Sequence, residues 1–201
     1  LVTQLMHNGN LSHFVAHNQL SPFTKVRIAH DIAAGMAFLH AHHLVHRNLK
    51  PTNILVASRD VRSPVLCKIC DFGAARFVSD EQAAATMTST AVTPLYTAPE
   101  MMVEHGRYSM ASDVFSFGIV LVELWNETQP YSERPFDSPF AFIRHVLDGN
   151  RPSFRSDCPP DYVALAQACW TADPAARPTF AQIVARLESP GFFVSQQGPH
   201  V

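Results

Sequence analysis

The sequence predicts a mainly α domain with one small β hairpin. Three observations carry that expectation. Residues 24–43 place apolar groups at Val26, Ala29, Ile32, Ala33, Met36, Ala37, Leu39 and His40, close to the 3.6-residue period of an amphipathic helix. Residues 112–126 are apolar almost throughout, as in a helix buried on all sides. Two adjacent runs, Ile54-Leu55-Val56 and Val65-Leu66-Cys67-Lys68-Ile69, read as a strand pair, and the polar stretch 58–64 joins them as a turn.

The 201 residues suffice for one domain with a sizeable core, and 47% hydrophobic residues argue against disorder. The formal net charge is −2 and basic runs are absent, so no nucleic-acid footprint is expected. Four cysteines in a chain of this length point to reduced thiols rather than a disulfide scaffold. No stretch reads as a signal peptide. The longest apolar run, 114–125, falls short of the ~20 residues a membrane span needs, and it carries Glu123. The first residue is Leu1, not Met, which suggests a chain cut from something longer or a mis-called start.

Taken in order, residues 1–6 read as the end of a strand, and Asn8-Gly9-Asn10 as a turn. Asn10 is placed to cap a short helix through about Asn18. Ser21-Pro22 opens the turn before the long helix, in which Lys25, Arg27 and Asp31 fall off the apolar face. Residues 44–53 form a loop, because Pro51 cannot sit inside a helix. Residues 73–97 are rich in Ala, Thr and Ser and follow no period, the pattern of a functional or mobile segment. After the buried helix, Pro130 and Pro135 break the chain. Further helices are expected over 137–147, 161–170 and 179–187, the last capped by Thr179. Residues 1–188 form the domain, and 189–201, with two Pro and two Gly, form a tail.

Several short motifs follow one another along this frame. They are His46-Arg47-Asn48-Leu49-Lys50-Pro51-Thr52-Asn53, then Asp71-Phe72-Gly73, then Ala98-Pro99-Glu100. Later come Ser112-Asp113-Val114-Phe115-Ser116-Phe117-Gly118, Cys169-Trp170, Asp173-Pro174 and Arg177-Pro178-Thr179-Phe180. The series resembles the H-R-D-L-x-x-x-N, D-F-G and A-P-E markers of protein kinases, with their D-V-W-S-F-G and W-x-x-D-P-x-x-R-P segments. Its style is similar to the tyrosine-kinase-like group, and Lys50 resembles the Ser/Thr-specific enzymes. The Gly-rich loop and V-A-I-K lysine of the family do not precede it. The resemblance is therefore to a C-terminal (large) kinase lobe without its N-terminal lobe.

The resemblance assigns roles residue by residue. Asp71 and Asn53 would hold Mg²⁺ against the phosphates of ATP, and Lys50 would place positive charge near the transferred phosphoryl group. His46 and Arg47 belong to the loop's frame. Arg47 would either pair with a phosphorylated residue among Thr86, Thr88, Ser89, Thr90 and Thr93 or brace the loop. Thr93 also matches the family residue that touches the catalytic Asp and Lys, although Val92 stands where Gly is usual. Glu100 and Arg177 would form a buried ion pair, and Asp113 would accept backbone N–H bonds from the loop.

Asn48 stands where the family has its catalytic Asp. An amide accepts a hydrogen bond but is not basic enough to take the substrate hydroxyl proton. General-base catalysis is worth about 10²–10⁴ in rate, or roughly 3–5 kcal/mol of barrier. The expectation is a kinase-like lobe with impaired phosphoryl transfer, acting as a pseudokinase or regulatory scaffold. Two alternatives stand beside it: a competent Ser/Thr kinase in its full-length form, and a non-functional gene fragment. The chain alone is expected to bind ATP weakly or not at all. Its partner would be a protein substrate or a regulated kinase, in the cytoplasm or on the cytoplasmic side of a membrane-tethered parent. Metal binding by His40, His42, His43 and His46, or zinc at Cys67 and Cys70, is set aside because the spacings do not converge.

Overall fold

The computed structural model describes residues 4–77, 85–86, 94–103, 106–190 and 192. Within them the fold is mainly helical. Helices α1 (Leu11–His17) and α2 (Pro22–Ala41) precede three small antiparallel pairs. The strands are β1 (Leu44–Val45), β2 (Ile54–Val56), β3 (Cys67–Ile69), β4 (Arg76–Phe77), β5 (Ala85–Thr86) and β6 (Arg107–Tyr108). Helices α3 (Met110–Asn126), α4 (Pro139–Leu147), α5 (Pro160–Cys169) and α6 (Phe180–Leu187) complete it.

The caps explain where each helix starts. Asn10 accepts from His13 N at 2.9 Å, Ser21 from Thr24 N at 3.1 Å, and Ser138 from Ala141 N at 3.2 Å. Ser109 with Ser112 and Thr179 with Gln182 form reciprocal capping boxes. Such a cap is worth about 1 kcal/mol. The sequence places the starts of α2, α3 and α4 within two residues of the observed ones. α2 and α3 begin earlier because Ser21 and Ser109 do the capping, and Pro22 fits the first helical position. At the N-terminus, residues 4–6 form no strand, contrary to the sequence expectation. Gly9 does make the expected turn, at φ +73°, with its N–H bonded to Met6 O.

α3 is the axis of the core, buried at nearly every position from Ser112 to Asn126. α5 lies close against it at Gly118, where an added Cβ would come within 3.0 Å of Cys169 Cβ. α2 packs on α6 and α3. Phe142 and Val146 turn α4 inward, and Tyr131 and Phe136 make edge contacts with Phe142.

Two charged residues of α2 do more than face solvent. Lys25 is 4% exposed and donates to Trp125 O at 2.6 Å and to Glu127 at 3.0 Å. It thus neutralises the carbonyl end of α3. Asp31 accepts from Leu66 N at 2.6 Å and Cys67 N at 3.3 Å, which fastens the hairpin to α2. That hairpin pairs Ile54 with Ile69 and Val56 with Cys67.

Candidate functional site

The loop 46–53 runs between β1 and β2, and one carboxylate on α3 anchors it. Asp113 is 1% exposed and accepts from His46 N at 2.8 Å, Arg47 N at 2.9 Å and His40 Nε2 at 2.9 Å. A buried carboxylate needs this many donors, since its lone pairs have no water. Arg47 has a left-handed φ of +69°, a strained setting that the Asp113 bonds hold in place.

His46 is fully buried. Asn48 N donates to its Nδ1 at 3.3 Å, so the ring carries its proton on Nε2, which donates to Cys70 O at 3.0 Å. The imidazole therefore ties the loop to the residue before Asp71, and Phe72 makes an edge contact with the ring at 5.6 Å. Asn53 Nδ2 donates to Asn48 O at 2.8 Å, and Cys70 N donates to Asn53 O at 2.9 Å. Asn48, Asn53 and Asp71 are thus joined through main chain, amide and hairpin. Asn48 and Lys50 line one cleft with Tyr96, Thr97, Ala98 and Asp113.

Asp71 is exposed, in a left-handed conformation at φ +62°. With its nitrogen bonded to Asn48 O, the Asn53 amide presents its oxygen. A carboxylate and an amide oxygen are hard donors of the kind that would suit Mg²⁺. Among the described residues no three His, Cys, Asp or Glu side chains converge on a metal position. The Cys70 thiol beside Asp71 is pushed up by burial and then by the Asp71 charge.

Farther along, Arg177 is completely buried. It donates to Glu100 at 2.7 and 2.9 Å, to Ala111 O at 2.9 Å and to Thr171 O at 2.9 Å. Ser112 Oγ adds a bond to Glu100 at 3.2 Å. Of the activation-segment candidates, Thr86 lies on β5, whose backbone pairs with Arg107. Thr88, Ser89, Thr90 and Thr93, with Val92, lie outside the described residues.

Three residues at the site have roles that the sequence does not give. His40 sits within the apolar stripe of α2 and turns out to be the third partner of Asp113. Glu123, the charge inside the apolar run, is 3% exposed and accepts from Ser12 Oγ at 3.0 Å and from the Tyr96 hydroxyl. Burial raises its carboxyl above the usual range, partly offset by those two hydrogen bonds. Tyr108 faces Arg47, with the guanidinium carbon 4.4 Å from its ring centroid. A charge or His inside an apolar pattern is the available signal for the first two; Tyr108 leaves none.

A sequence model of the family described as protein tyrosine and serine/threonine kinase matches residues 1–187. The serine/threonine-protein kinase VIK of Arabidopsis thaliana is 36% identical over 194 residues, covering 94% of this chain and 43% of that protein. STY17, a serine/threonine-protein kinase of the same plant, is 35% identical over 191 residues, covering 93% of this chain and 31% of its own length. Cyclic GMP-binding protein C of Dictyostelium discoideum is 37% identical over 166 residues, or 81% of this chain and 6% of that protein. The chain thus spans less than half the length of each of these relatives.

Proposed function

The chain belongs to the protein tyrosine and serine/threonine kinase family, and on that premise we propose that it is a kinase-like large lobe whose phosphoryl transfer is impaired, acting as a pseudokinase or regulatory scaffold. The observation that carries this reading is Asn48. Hydrogen bonds from His46 N, Arg47 N, Asn48 N and the Asn53 amide support the loop around it, while the basic group is missing. The family uses ATP and Mg²⁺, which supply the phosphoryl group and neutralise charge developing on it. Asp71 and the Asn53 amide oxygen would hold the cation, and Lys50 would set positive charge beside the transferred group. Asn48 would orient a substrate hydroxyl by accepting its hydrogen bond without removing the proton. The partner would be a protein Ser/Thr substrate or a regulated kinase.

A second reading is a competent Ser/Thr kinase in full-length form. Lys50 and the serine/threonine-kinase names of the plant relatives favour it. One assay separates the two: phosphoryl transfer from Mg-ATP by the full-length protein beside its Asn48→Asp variant. The first reading expects near-background transfer and a gain of about 10² or more in the variant. Efficient transfer by the unaltered protein would establish the second. Silence from both would place the defect in the nucleotide site as a whole.

A further inference from the structure

The Arg47 guanidinium is already engaged. Its carbon lies 4.4 Å from the Tyr108 ring centroid, within the range of a cation–π contact. Tyr108 is 6% exposed, so water does not compete for that ring. Arg47 Nε is buried and has no hydrogen-bond partner among the described residues, as expected when the ring, not an acceptor, is what the guanidinium faces. Tyr108 sits on β6, whose antiparallel pairing with β5 joins Tyr108 to Ala85 and Arg107 to Thr86. The other end of the link is fixed too, because Arg47 N donates to Asp113 at 2.9 Å.

We propose that Tyr108 is a positioning residue: its ring holds Arg47 and keeps the 46–53 loop seated against α3 without a phosphate on the activation segment. This deepens the proposed function by assigning the site's regulation. The β5–β6 pair and the Asn48 loop would move as one unit, with Arg47 as the joint.

The test is nuclear magnetic resonance of the full chain. A guanidinium over an aromatic face has its neighbouring methylene protons shifted upfield by the ring current. The Arg47 Hδ signals should lie upfield of those of an arginine with no ring beside it, such as exposed Arg62, stay there in Tyr108→Phe and return to ordinary positions in Tyr108→Leu. Unshifted Arg47 protons in the wild type, or a shift that survives Tyr108→Leu, would overturn the proposal. If Tyr108→Leu does not fold, the wild-type and Tyr108→Phe spectra still decide, since both must carry the shift. A second arm uses the full-length Asn48→Asp form. Phosphatase treatment should leave its transfer within about twofold, whereas Tyr108→Leu should lower kcat about fivefold and Tyr108→Phe should not. A large loss on phosphatase treatment would overturn the proposal. The spectroscopic arm needs no transfer, so it stands even if the reading of Asn48 fails.

Discussion

The two sides of the 46–53 loop are built differently. On the α3 side the polar groups are buried and paired: Asp113 has three donors, and Arg177 is spent on Glu100 and two carbonyls. On the other side Asp71, Phe72 and Gly73 are all exposed. Beside them runs an apolar groove of about 540 Å³, lined by Ala34, Gly35, Phe38, Ile69 and Phe72 among others. Phe38 is 63% and Phe72 49% exposed there. The chain's own packing fixes the loop, whereas the 71–73 stretch draws little support from it. Substitutions on the two sides should therefore differ in kind.

The largest effect is expected from Arg177→Leu. It leaves Glu100, whose side chain is 23% exposed, without its cation; breaking one partner of a fully buried pair costs about 3–5 kcal/mol, so the loss should fall at the low end, about 3 kcal/mol. A urea titration measures this, and a change under about 1 kcal/mol would mean that solvent replaces the arginine. His40→Leu comes next, at about 2 kcal/mol, because it removes one charge-assisted donor while two backbone donors remain on Asp113. His40→Gln, which can still donate, should recover part of the loss.

Glu123 sharpens the comparison through pH. Its folded-state value lies above the ordinary 4.5, so folding favours the protonated carboxyl. That contribution is fully present below 4.5 and is lost as pH rises through the raised folded value. Urea midpoints of wild type and Glu123→Gln, measured on both sides of that window, should diverge against the wild type as pH increases. Parallel midpoints would show that the carboxyl is not perturbed. The smallest effect belongs to Asp71→Asn. Its side chain is exposed and Asn tolerates the left-handed backbone, so stability should change by no more than about 0.5 kcal/mol, while any Mg²⁺-dependent nucleotide binding by the full-length protein should fall sharply.

Much of this organisation can be read from the sequence, and the limits have a physical pattern. Local signals suffice for the 3.6 period of α2, the caps Asn10 and Thr179, and the strand pair, whose second member is 67–69 rather than the expected 65–69. The loop and Asp71 could be picked out because their chemistry sits in short, ordered motifs. Their partners could not. Lys25 meets Trp125, 100 positions away, and His40 meets Asp113, 73 positions away. Periodicity puts a residue on a face but does not say which helix end or carboxylate lies opposite. The period alone therefore puts Lys25 on the polar side, although its stem is buried and its charge finishes α3.

Native-state hydrogen exchange tests the contrast most directly. The His46 and Arg47 amides, bonded to buried Asp113, should exchange nearly as slowly as the core of α3, while the amides of 71–74 should exchange orders of magnitude faster. Similar protection in both stretches would mean that 71–74 is as firmly held as the loop, and the contrast between the two sides would fail.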